Sequence, residues 1–515
     1  MYTKEELLKS LPEDMHGFKM HFVGIKGTGM VALVEICHSR GAVITGSDVT
    51  ERFYTDDVLD KLGIKALPFD GANIASVKPD VVVYSSAYKL DINPDLIEAV
   101  KTGVPCLLYT EALGAVSAVA YSSGICGVHG KTTTTGLSGT IAKGLNLPAQ
   151  ILAGSVITSF DNSCTLDNGH EYFIAETCEY QRHFMSFHPQ KIVLTSVESD
   201  HEDYYPTYED IRQAFIDYLC LLPEGGEVIY CADDKGACET VALALEQRPD
   251  IIGVPYGVTA EGDYAVSFGK TESGVQTFRL NGFDAEFGLR IPGKHTVLDS
   301  AAALALNFQL LKTARGAAPE TDASTVINAD DVLNAKNALL SFAGAKRRSE
   351  IVGEAVCGVK GGAAGSASKN SVLVIDDYGH HPTAVQTTLE GYRAFYEDRV
   401  IIADFMSHTY TRTAALLEEF ASSFGAADEV ILHKIYPSAR EVYSGGVNGK
   451  ILFARTAAHH QNVQYFEEIL DAKDYVLERL SRPLPEGKKG YLLVTMGAGD
   501  NWKLGRAVLD ALAAR

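Results

Sequence analysis

The sequence predicts an α/β protein of three domains, each built around a mostly parallel sheet. Short apolar runs that end in acidic or polar residues alternate with helical stretches, which is the pattern of βαβ units. The length of 515 residues exceeds what one hydrophobic core usually supports. We predict domains at residues 1–118, 119–340 and 341–515.

The composition narrows the class of protein. The chain is 46% hydrophobic and 22% charged, and its formal net charge is −21. Nucleic acids and anionic membranes attract a basic field, so we expect neither as a partner. The nine cysteines show no C-x-x-C spacing, which indicates reduced thiols rather than a disulfide framework or a zinc site.

The first residues lack the apolar core of a signal peptide, and the sequence contains no apolar run of membrane-spanning length. These features predict a cytoplasmic protein. We expect a monomer or a homodimer.

A nucleotide-binding pattern opens the first predicted domain. A strand at residues 20–25 precedes Gly27, Gly29 and Ala32, which fit G-x-G-x-x-A, and the next strand ends at Asp48. The glycines permit a tight turn near a phosphate, and the acid can hold a ribose hydroxyl. With further strands at 79–87 and 104–109, the pattern predicts a Rossmann-like domain. The alternative is a structural glycine turn.

A phosphate loop opens the second predicted domain. Its residues are Gly127, Val128, His129, Gly130, Lys131, Thr132 and Thr133, between a strand and a helix. Lys131 would reach the terminal phosphates of a nucleotide, and Thr132 could offer its hydroxyl to Mg²⁺. Ile125 stands where the full motif has its first glycine, so the alternative is a Gly-Thr turn that caps a helix.

Acidic residues follow the later strands of this domain. Residues 172–176 end at Glu176, residues 191–197 precede His201, and residues 226–234 end in two aspartates. Ligands of open α/β sheets lie beyond the carboxyl ends of the strands. Glu176 and His201 are therefore candidate Mg²⁺ ligands beside Thr132. Taken singly, either residue is more simply a polar group at a strand end.

The third predicted domain starts near residue 341 with the basic triplet Lys346, Arg347 and Arg348. Strands are predicted at 372–376, 399–403, 429–433 and 491–496, with helices between them. The triplet suggests an anion-binding site in an acidic chain, and the alternative is a solvated charge run. Residues 361–368, rich in Gly, Ala and Ser, are expected to form a hairpin loop.

Together these motifs resemble those of the Mur ligase family over nearly the whole chain, and their order makes the resemblance specific. The motifs are 27–30 with 46–48, 127–134, 176–180, 200–205, 293–295, 346–348, 376–382, 408–413, 436–441 and 496–502.

The resemblance implies a Rossmann-like UDP-sugar-binding domain, a central P-loop ATPase domain with a mostly parallel sheet, and a C-terminal Rossmann-like α/β ligase domain. It implies ATP and Mg²⁺ as cofactors. It is closest to the branch that joins L-alanine to UDP-N-acetylmuramate through an acyl phosphate. Later-acting branches use a modified lysine downstream of His201, and no lysine occurs from residue 192 to 234.

The resemblance also implies roles for individual residues. The implied catalytic residues are Lys131, Glu176, His201, His380 and Arg412. The implied ATP contacts are residues 127–133 with His295, Thr296, Asp299, Arg347 and Asp377. The implied UDP-sugar contacts are Lys26, Gly27, Thr28, Gly29, Met30, Asp48, Ser85 and Ser86. Tyr378, His380 and His408 would bind the amino acid, and Thr132, Glu176 and His201 the metal.

Four departures from the family pattern are expected to matter. Val128 replaces a threonine, and Thr177 and Cys178 replace Ala-Asp, which removes one carboxylate. Thr296 and Asp299 replace two asparagines that read adenine, and an ionised Asp accepts but does not donate a hydrogen bond. Thr409 replaces an arginine.

Three other functions stay open on sequence grounds. A recycling ligase would add a whole peptide to the same nucleotide sugar. An NAD-dependent oxidoreductase would explain the first glycine pattern but not the phosphate loop. A non-catalytic nucleotide-binding regulator would explain the substituted adenine positions.

Overall fold

A computed structural model describes residues 11–12, 14–53, 55–201, 204–272, 274–359, 369–437 and 445–514. Within these residues the strands form four sheets. The strands are β1 (Lys19–Val23), β2 (Val43–Ser47), β3 (Val81–Tyr84), β4 (Cys106–Leu108), β5 (Tyr121–Cys126), β6 (Ala149–Ile157), β7 (Ser163–Asp167), β8 (Tyr172–Glu176), β9 (Lys191–Leu194), β10 (Glu227–Cys231), β11 (Ile252–Tyr256), β12 (Val266–Glu272), β13 (Val275–Leu280), β14 (Glu286–Leu289), β15 (Glu350–Gly358), β16 (Lys369–Asp377), β17 (Arg399–Phe405), β18 (Glu429–Leu432), β19 (Val463–Tyr465) and β20 (Gly490–Met496).

The helices connect these strands and cover the sheets. They are α1 (Thr28–Ser39), α2 (Asp56–Lys61), α3 (Ala72–Val77), α4 (Pro94–Thr102), α5 (Tyr109–Ala118), α6 (Lys131–Gly144), α7 (Tyr208–Leu219), α8 (Lys235–Gln247), α9 (Lys294–Ala314), α10 (Ala323–Val326), α11 (Ala329–Ser341), α12 (Pro382–Phe395), α13 (Tyr410–Ala415), α14 (Leu417–Ser422), α15 (Gly449–His459), α16 (Lys473–Leu480) and α17 (Trp502–Ala513). The described helices include none long and apolar enough to cross a bilayer.

The first sheet is parallel, in the order β2-β1-β3-β4. Its strands are short, and the residues of β1 and β3 are apolar for the most part and almost wholly buried. The loops after β1, β2 and β3 therefore meet at one edge of the sheet. This edge carries the predicted glycine loop and Asp48.

The central sheet has the order β11-β10-β9-β5-β8-β6-β7. Its pairs are parallel except the last, in which β7 runs antiparallel to β6. Because β5 lies between β8 and β9, the phosphate loop after β5 emerges between the loops that carry Glu176 and His201. The predicted β-rich stretch at 263–291 forms a separate antiparallel sheet of β12, β13 and β14.

The third sheet has the order β15-β16-β20-β17-β18-β19. The pair β15 and β16 is antiparallel, and the other pairs are parallel. The predicted hairpin loop at 361–368 lies outside the described residues. The three-domain α/β architecture predicted from the sequence is confirmed, while the exact domain boundaries stay a prediction.

The hydrophobic clusters connect the first domain to the central domain but leave the third domain separate. Helix α1 packs on β6 and β7, so one cluster contains residues of both the first and the central sheet. Arg40 adds a polar contact, since its Nη2 donates to Gln150 Oε1 at 2.7 Å. The third sheet has two clusters of its own, and in the described residues neither contains a residue of the other sheets.

Candidate active site

The phosphate loop joins β5 to α6 through two glycines with positive φ. Gly127 has φ +130° and Gly130 has φ +79°. A Cβ on Gly130 would lie 2.4 Å from Asp299 Oδ1, so a larger residue does not fit without displacement. No described side chain caps α6, which leaves its first N–H groups available to an anion.

One cavity of about 910 Å³ lies between the central and third domains. Every predicted catalytic, amino-acid and metal-binding residue lines it, as do most predicted ATP contacts. The lining members of the predicted set are Val128, His129, Gly130, Lys131, Thr132, Thr133, Glu176, His201, His295, Thr296, Asp299, Asp377, Tyr378, His380, His408 and Arg412.

Lys131 is held by a carboxylate in this structure. Its Nζ lies 3.0 Å from both carboxylate oxygens of Glu179, which is only 1% exposed. Burial opposes charge on both groups, but their mutual attraction outweighs it, so the pKa of Lys131 is raised and that of Glu179 lowered. Glu179 also lies 3.4 Å from His201 Nε2. The lysine and the carboxylate are thus both ionised.

A buried ion pair joins the central and third domains across the cavity. Arg412 on α13 donates from Nη2 to Asp200 Oδ1, and both residues are 6% exposed. Burial opposes ionisation of Asp200, but the positive charge of Arg412 outweighs it and holds the pKa of the carboxyl far below its usual range. Arg412 Nε is buried and has no hydrogen-bond partner among the described residues.

His380 is a neutral imidazole. Its Nδ1 lies 2.9 Å from the carbonyl oxygen of Tyr378, which favours the tautomer with the proton on Nδ1. Burial, with the charge of Arg412, lowers its pKa well below the usual value. The other nitrogen, Nε2, is therefore an acceptor at neutral pH. The His408 ring lies 6.2 Å away, centroid to centroid.

Asp299 lies at the start of α9, beside the phosphate loop. Burial raises the pKa of Asp299 to about 8, although the nearby Thr134 hydroxyl and the charge of Arg348 oppose the shift. At neutral pH the carboxyl is mostly protonated. A protonated carboxyl donates as well as accepts, whereas an ionised one only accepts. The role of Asp299 in reading adenine stays a prediction. Thr296 instead uses its hydroxyl locally, donating to Gly293 O at 2.7 Å.

Thr132, Glu176 and His201 supply a hydroxyl, a carboxylate and an imidazole to one side of the cavity. Glu176 Oε2 accepts from the Gly154 N–H at 2.8 Å, which fixes the carboxylate. These donors fit Mg²⁺, which takes few protein ligands and keeps phosphate oxygens and waters. The donor set is open, as a site completed by a triphosphate requires.

Two predicted ATP contacts do not border the cavity. Gly127 is the first residue of the phosphate loop and is not among the residues that line the cavity. Arg347 is occupied, because its Nε donates to Asp376 Oδ2 at 2.9 Å and its Nη2 donates to Gly497 O at 2.6 Å. Its neighbour Arg348 lines the cavity instead. A nucleotide contact by Arg347 stays a prediction.

The predicted UDP-sugar residues lie at the carboxyl edge of the first sheet, and none of the eight lines the cavity. Asp48 organises this edge: its Oδ2 accepts from the Lys26 N–H at 2.7 Å, and its Oδ1 accepts from Tyr88 OH at 3.2 Å. Lys26 Nζ is paired with Asp56 Oδ1 at 3.2 Å. A UDP-sugar contact at this edge stays a prediction.

Among the residues not predicted as site residues, Glu179, Asp200, Arg348 and His381 line the cavity, and Glu198 lies beside it, with Oε2 3.5 Å from His129 Nε2. All except Glu198 lie within motifs already quoted for the family. The motifs therefore marked these positions, but no role was assigned to these residues. Glu198 directly precedes the 200–205 motif. Their roles depend on which strand ends are neighbours, which the motifs do not state.

Comparisons with known proteins cover almost the entire chain. Three family models match in order: the Mur ligase family catalytic domain at 19–121, the Mur ligase middle domain at 125–307, and the Mur ligase glutamate ligase domain at 365–499. The UDP-N-acetylmuramate–L-alanine ligase of Treponema pallidum (strain Nichols) is 48% identical over 502 residues, covering 97% of this chain and 98% of its own. The same-named protein of Desulfitobacterium hafniense is 34% identical, covering 95% and 99%.

Solved structures share the fold. The UDP-N-acetylmuramate-alanine ligase of Thermotoga maritima superposes with a TM-score of 0.70 at 22% identity, covering 96% of this chain and 99% of its own. A murein peptide ligase of Psychrobacter arcticus gives a TM-score of 0.60 at 21% identity, covering 97% and 99%. From the three matching domains and the closely similar full-length relatives, the chain belongs to the Mur ligase family.

Proposed function

We propose that this protein joins L-alanine to the lactyl carboxylate of UDP-N-acetylmuramate, converting ATP to ADP and phosphate, in peptidoglycan precursor synthesis. The observation that carries the proposal is the cavity in which the phosphate loop faces His380, His408 and Arg412 of the third domain. The full-length relatives named for this reaction support the choice of substrates. The reaction draws on ATP and a nucleotide sugar, so we place it in the cytoplasm.

The first step is transfer of the γ-phosphoryl group of ATP to the lactyl carboxylate. A carboxylate is a poor acyl donor, and its acyl phosphate is a good one. Lys131 exchanges Glu179 for the phosphates and neutralises the charge that develops on them. Arg412 keeps one guanidinium nitrogen on Asp200 and places its positive charge near the transferred group or the carboxylate.

Thr132, Glu176 and His201 would hold Mg²⁺. A bound ion would supply positive charge against the phosphates. The hydroxyl and the carboxylate are the donors that this ion prefers, and His201 is a less usual third ligand.

The second step is attack of the alanine amine on the acyl phosphate carbonyl. Alanine binds as the ammonium ion and gives one proton to solvent before its free amine attacks. A tetrahedral intermediate forms, and as the amide forms the C–O bond breaks and phosphate leaves with the second proton from nitrogen. His380 offers a neutral Nε2 acceptor that can orient the amino group, and Tyr378 fixes the ring through its carbonyl. Because the pKa of His380 is low, it orients the nucleophile without becoming a cation that would repel the ammonium group.

The first domain would bind the UDP moiety at the edge formed by Lys26, the glycine loop and Asp48. The predicted boundaries at 118 and 340 then separate a UDP-sugar unit, an ATPase unit and an amino-acid unit. The oligomeric state, monomer or homodimer, stays a prediction.

One assay tests the proposal. The protein is incubated with ATP, Mg²⁺, UDP-N-acetylmuramate and single amino acids, and ADP and a new amide are measured. We expect ADP release that depends on both the sugar nucleotide and L-alanine, with serine and glycine as comparison substrates. ADP release that does not depend on the sugar nucleotide would contradict the proposal. Amide formation only with a tripeptide would identify a recycling ligase.

A further inference from the structure

A second cluster of metal-ligating side chains lies apart from Thr132, Glu176 and His201. It consists of His129 on the phosphate loop, Glu198 after β9, and His381 at the start of α12. One ligand atom from each side chain lies within 4.8 Å of the others. Within the described ranges, it is the only group of three or more histidine, cysteine or carboxylate side chains this close together. It therefore joins two central-domain residues to one of the third domain.

The two histidines in this cluster lack ordinary hydrogen bonds. His129 Nε2 lies 3.5 Å from Glu198 Oε2, and His381 Nδ1 lies 3.8 Å from the same oxygen. Both separations exceed an ordinary N–H···O hydrogen bond. Both nitrogens are buried and have no hydrogen-bond partner among the described residues, and His381 is 7% exposed. Such buried nitrogens normally find a partner.

The spacing suits one small cation. Zn²⁺ binds imidazole nitrogen and carboxylate oxygen at about 2.0–2.2 Å, which in a tetrahedron separates the ligand atoms by about 3.4 Å. The two nitrogen–oxygen distances, 3.5 and 3.8 Å, are close to this value, and all three ligand atoms lie within 4.8 Å of one another. Thr383 Oγ1 donates to Glu198 Oε2 at 3.2 Å, which restrains the carboxylate. The rings of His129 and His381 lie 5.0 Å apart, centroid to centroid.

We propose that His129, Glu198 and His381 form a site for a divalent transition-metal ion of the Zn²⁺ type, which ties the phosphate loop to the third domain. Two imidazoles and one carboxylate are the ligands of zinc-like ions, whereas Mg²⁺ prefers oxygen. The ion is additional to Mg²⁺ at Thr132, Glu176 and His201. A bound ion restrains separation of the two domains.

The test is a Co²⁺ titration of the full chain in excess Mg²⁺, which fills oxygen-rich sites. Co²⁺ reports its own geometry, since tetrahedral Co²⁺ absorbs visible light far more strongly than octahedral Co²⁺. We expect saturable binding with intense visible bands, and at least about tenfold weaker binding in His381→Gln. Co²⁺ should also raise the melting temperature of the wild type more than that of His381→Gln.

Two variants serve as controls. His170→Gln removes an exposed histidine beside Asp167 and should leave Co²⁺ binding unchanged. His201→Gln removes a ligand of the proposed Mg²⁺ site and should also retain the intense bands. The circular dichroism spectrum and metal-free melting temperature of His381→Gln establish that it folds.

Two outcomes overturn the proposal. If His201→Gln abolishes the bands and His381→Gln does not, Co²⁺ occupies the Mg²⁺ site. If no saturable binding occurs, the two histidine nitrogens are satisfied by water, and the cluster is a hydrogen-bonded contact between domains.

Discussion

At the scale of single residues, the main feature is that charged groups of the cavity are already paired before substrate binds. Lys131 is held by Glu179, and Arg412 by Asp200. A buried charge that loses its partner is costly, by about 3–5 kcal/mol. Variants of these residues therefore combine an effect on stability with an effect on chemistry, and the two must be separated.

Lys131→Ala should reduce turnover by at least about 10²-fold, because the lysine neutralises charge in the transition state. It should also destabilise the fold by leaving Glu179 buried and unpaired. The double variant Lys131→Ala/Glu179→Gln should recover most of the stability but none of the turnover. Steady-state ADP release and thermal unfolding measure the two effects.

Binding of UDP-N-acetylmuramate should change little in Lys131→Ala, since the predicted UDP-sugar edge is on another sheet. Calorimetry of the folded double variant measures this directly. Loss of sugar-nucleotide binding there would contradict separate nucleotide sites.

Asp299→Asn should stabilise the protein increasingly as pH rises. The folded pKa of Asp299, about 8, is above the ordinary value of 3.8. Below pH 4 both states are protonated, and between pH 4 and 8 only the unfolded state ionises, so the wild type loses stability across that range. Each pH unit in this range changes the free energy of unfolding by at most about 1.4 kcal/mol. The stability gained by Asp299→Asn between pH 5 and 8 therefore has an upper limit of about 4 kcal/mol.

Denaturant unfolding at pH 5 and pH 8 checks the Asp299 prediction. Asp284→Asn, at an exposed carboxyl in the same domain, is the control and should show no such trend. A pH-independent effect of Asp299→Asn would mean that the carboxyl is ionised in the fold.

The sequence predicted which residues reach the cavity better than it predicted their partners. All five predicted catalytic residues line it. Glu179 was visible in a motif, but its contact with Lys131 depends on the adjacency of β5 and β8. The basic triplet alone does not distinguish Arg347 from Arg348. Arg347 has a positive φ of +57°, and of the triplet only Arg348 lines the cavity.

At the scale of elements, the phosphate loop depends on backbone conformations that favour glycine. Gly130 combines positive φ with close approach to Asp299, and each alone disfavours a side chain. The loop therefore fixes both the helix start and the distance to α9.

Gly130→Ala should destabilise the protein and weaken ATP binding at least about tenfold. The control is Gly225→Ala, because Gly225 has φ +74° but a Cβ there would meet nothing within 4 Å. Gly225→Ala should cost only about 1 kcal/mol, which is the strain of the backbone conformation alone. Equal losses of stability in the two variants would show that contact with Asp299 is unimportant.

Strand prediction succeeded where an apolar run was long and continuous, as in β8 and β16. It missed β6, β7, β11, β15 and β19. β19 has three residues, and β15 is largely half-exposed, so neither gives a buried apolar run. These strands are specified by pairing with neighbours, which a local pattern does not contain.

At the scale of the whole molecule, a buried ion pair links the central domain to the third domain. Asp200 and Arg412 belong to different sheets, and their pair lies at the cavity. In a double-mutant cycle of Asp200→Asn and Arg412→Gln, we expect a coupling above about 1 kcal/mol in thermal unfolding. The exposed pair Arg52 and Asp57, at 64% and 72% side-chain exposure, is the control and should couple by less. Additive losses at the cavity would refute a cross-domain role for the pair.

The separate apolar clusters of the third domain affect how the molecule behaves when it opens. Helix α1 packs in a hydrophobic cluster that includes residues of both the first and the central sheet. No described hydrophobic cluster joins the third sheet to either of them. Separation of the third domain from the central one would therefore leave each of these described clusters intact. The core of each domain would stay closed to water, and the contact broken would include the buried ion pair of Asp200 and Arg412.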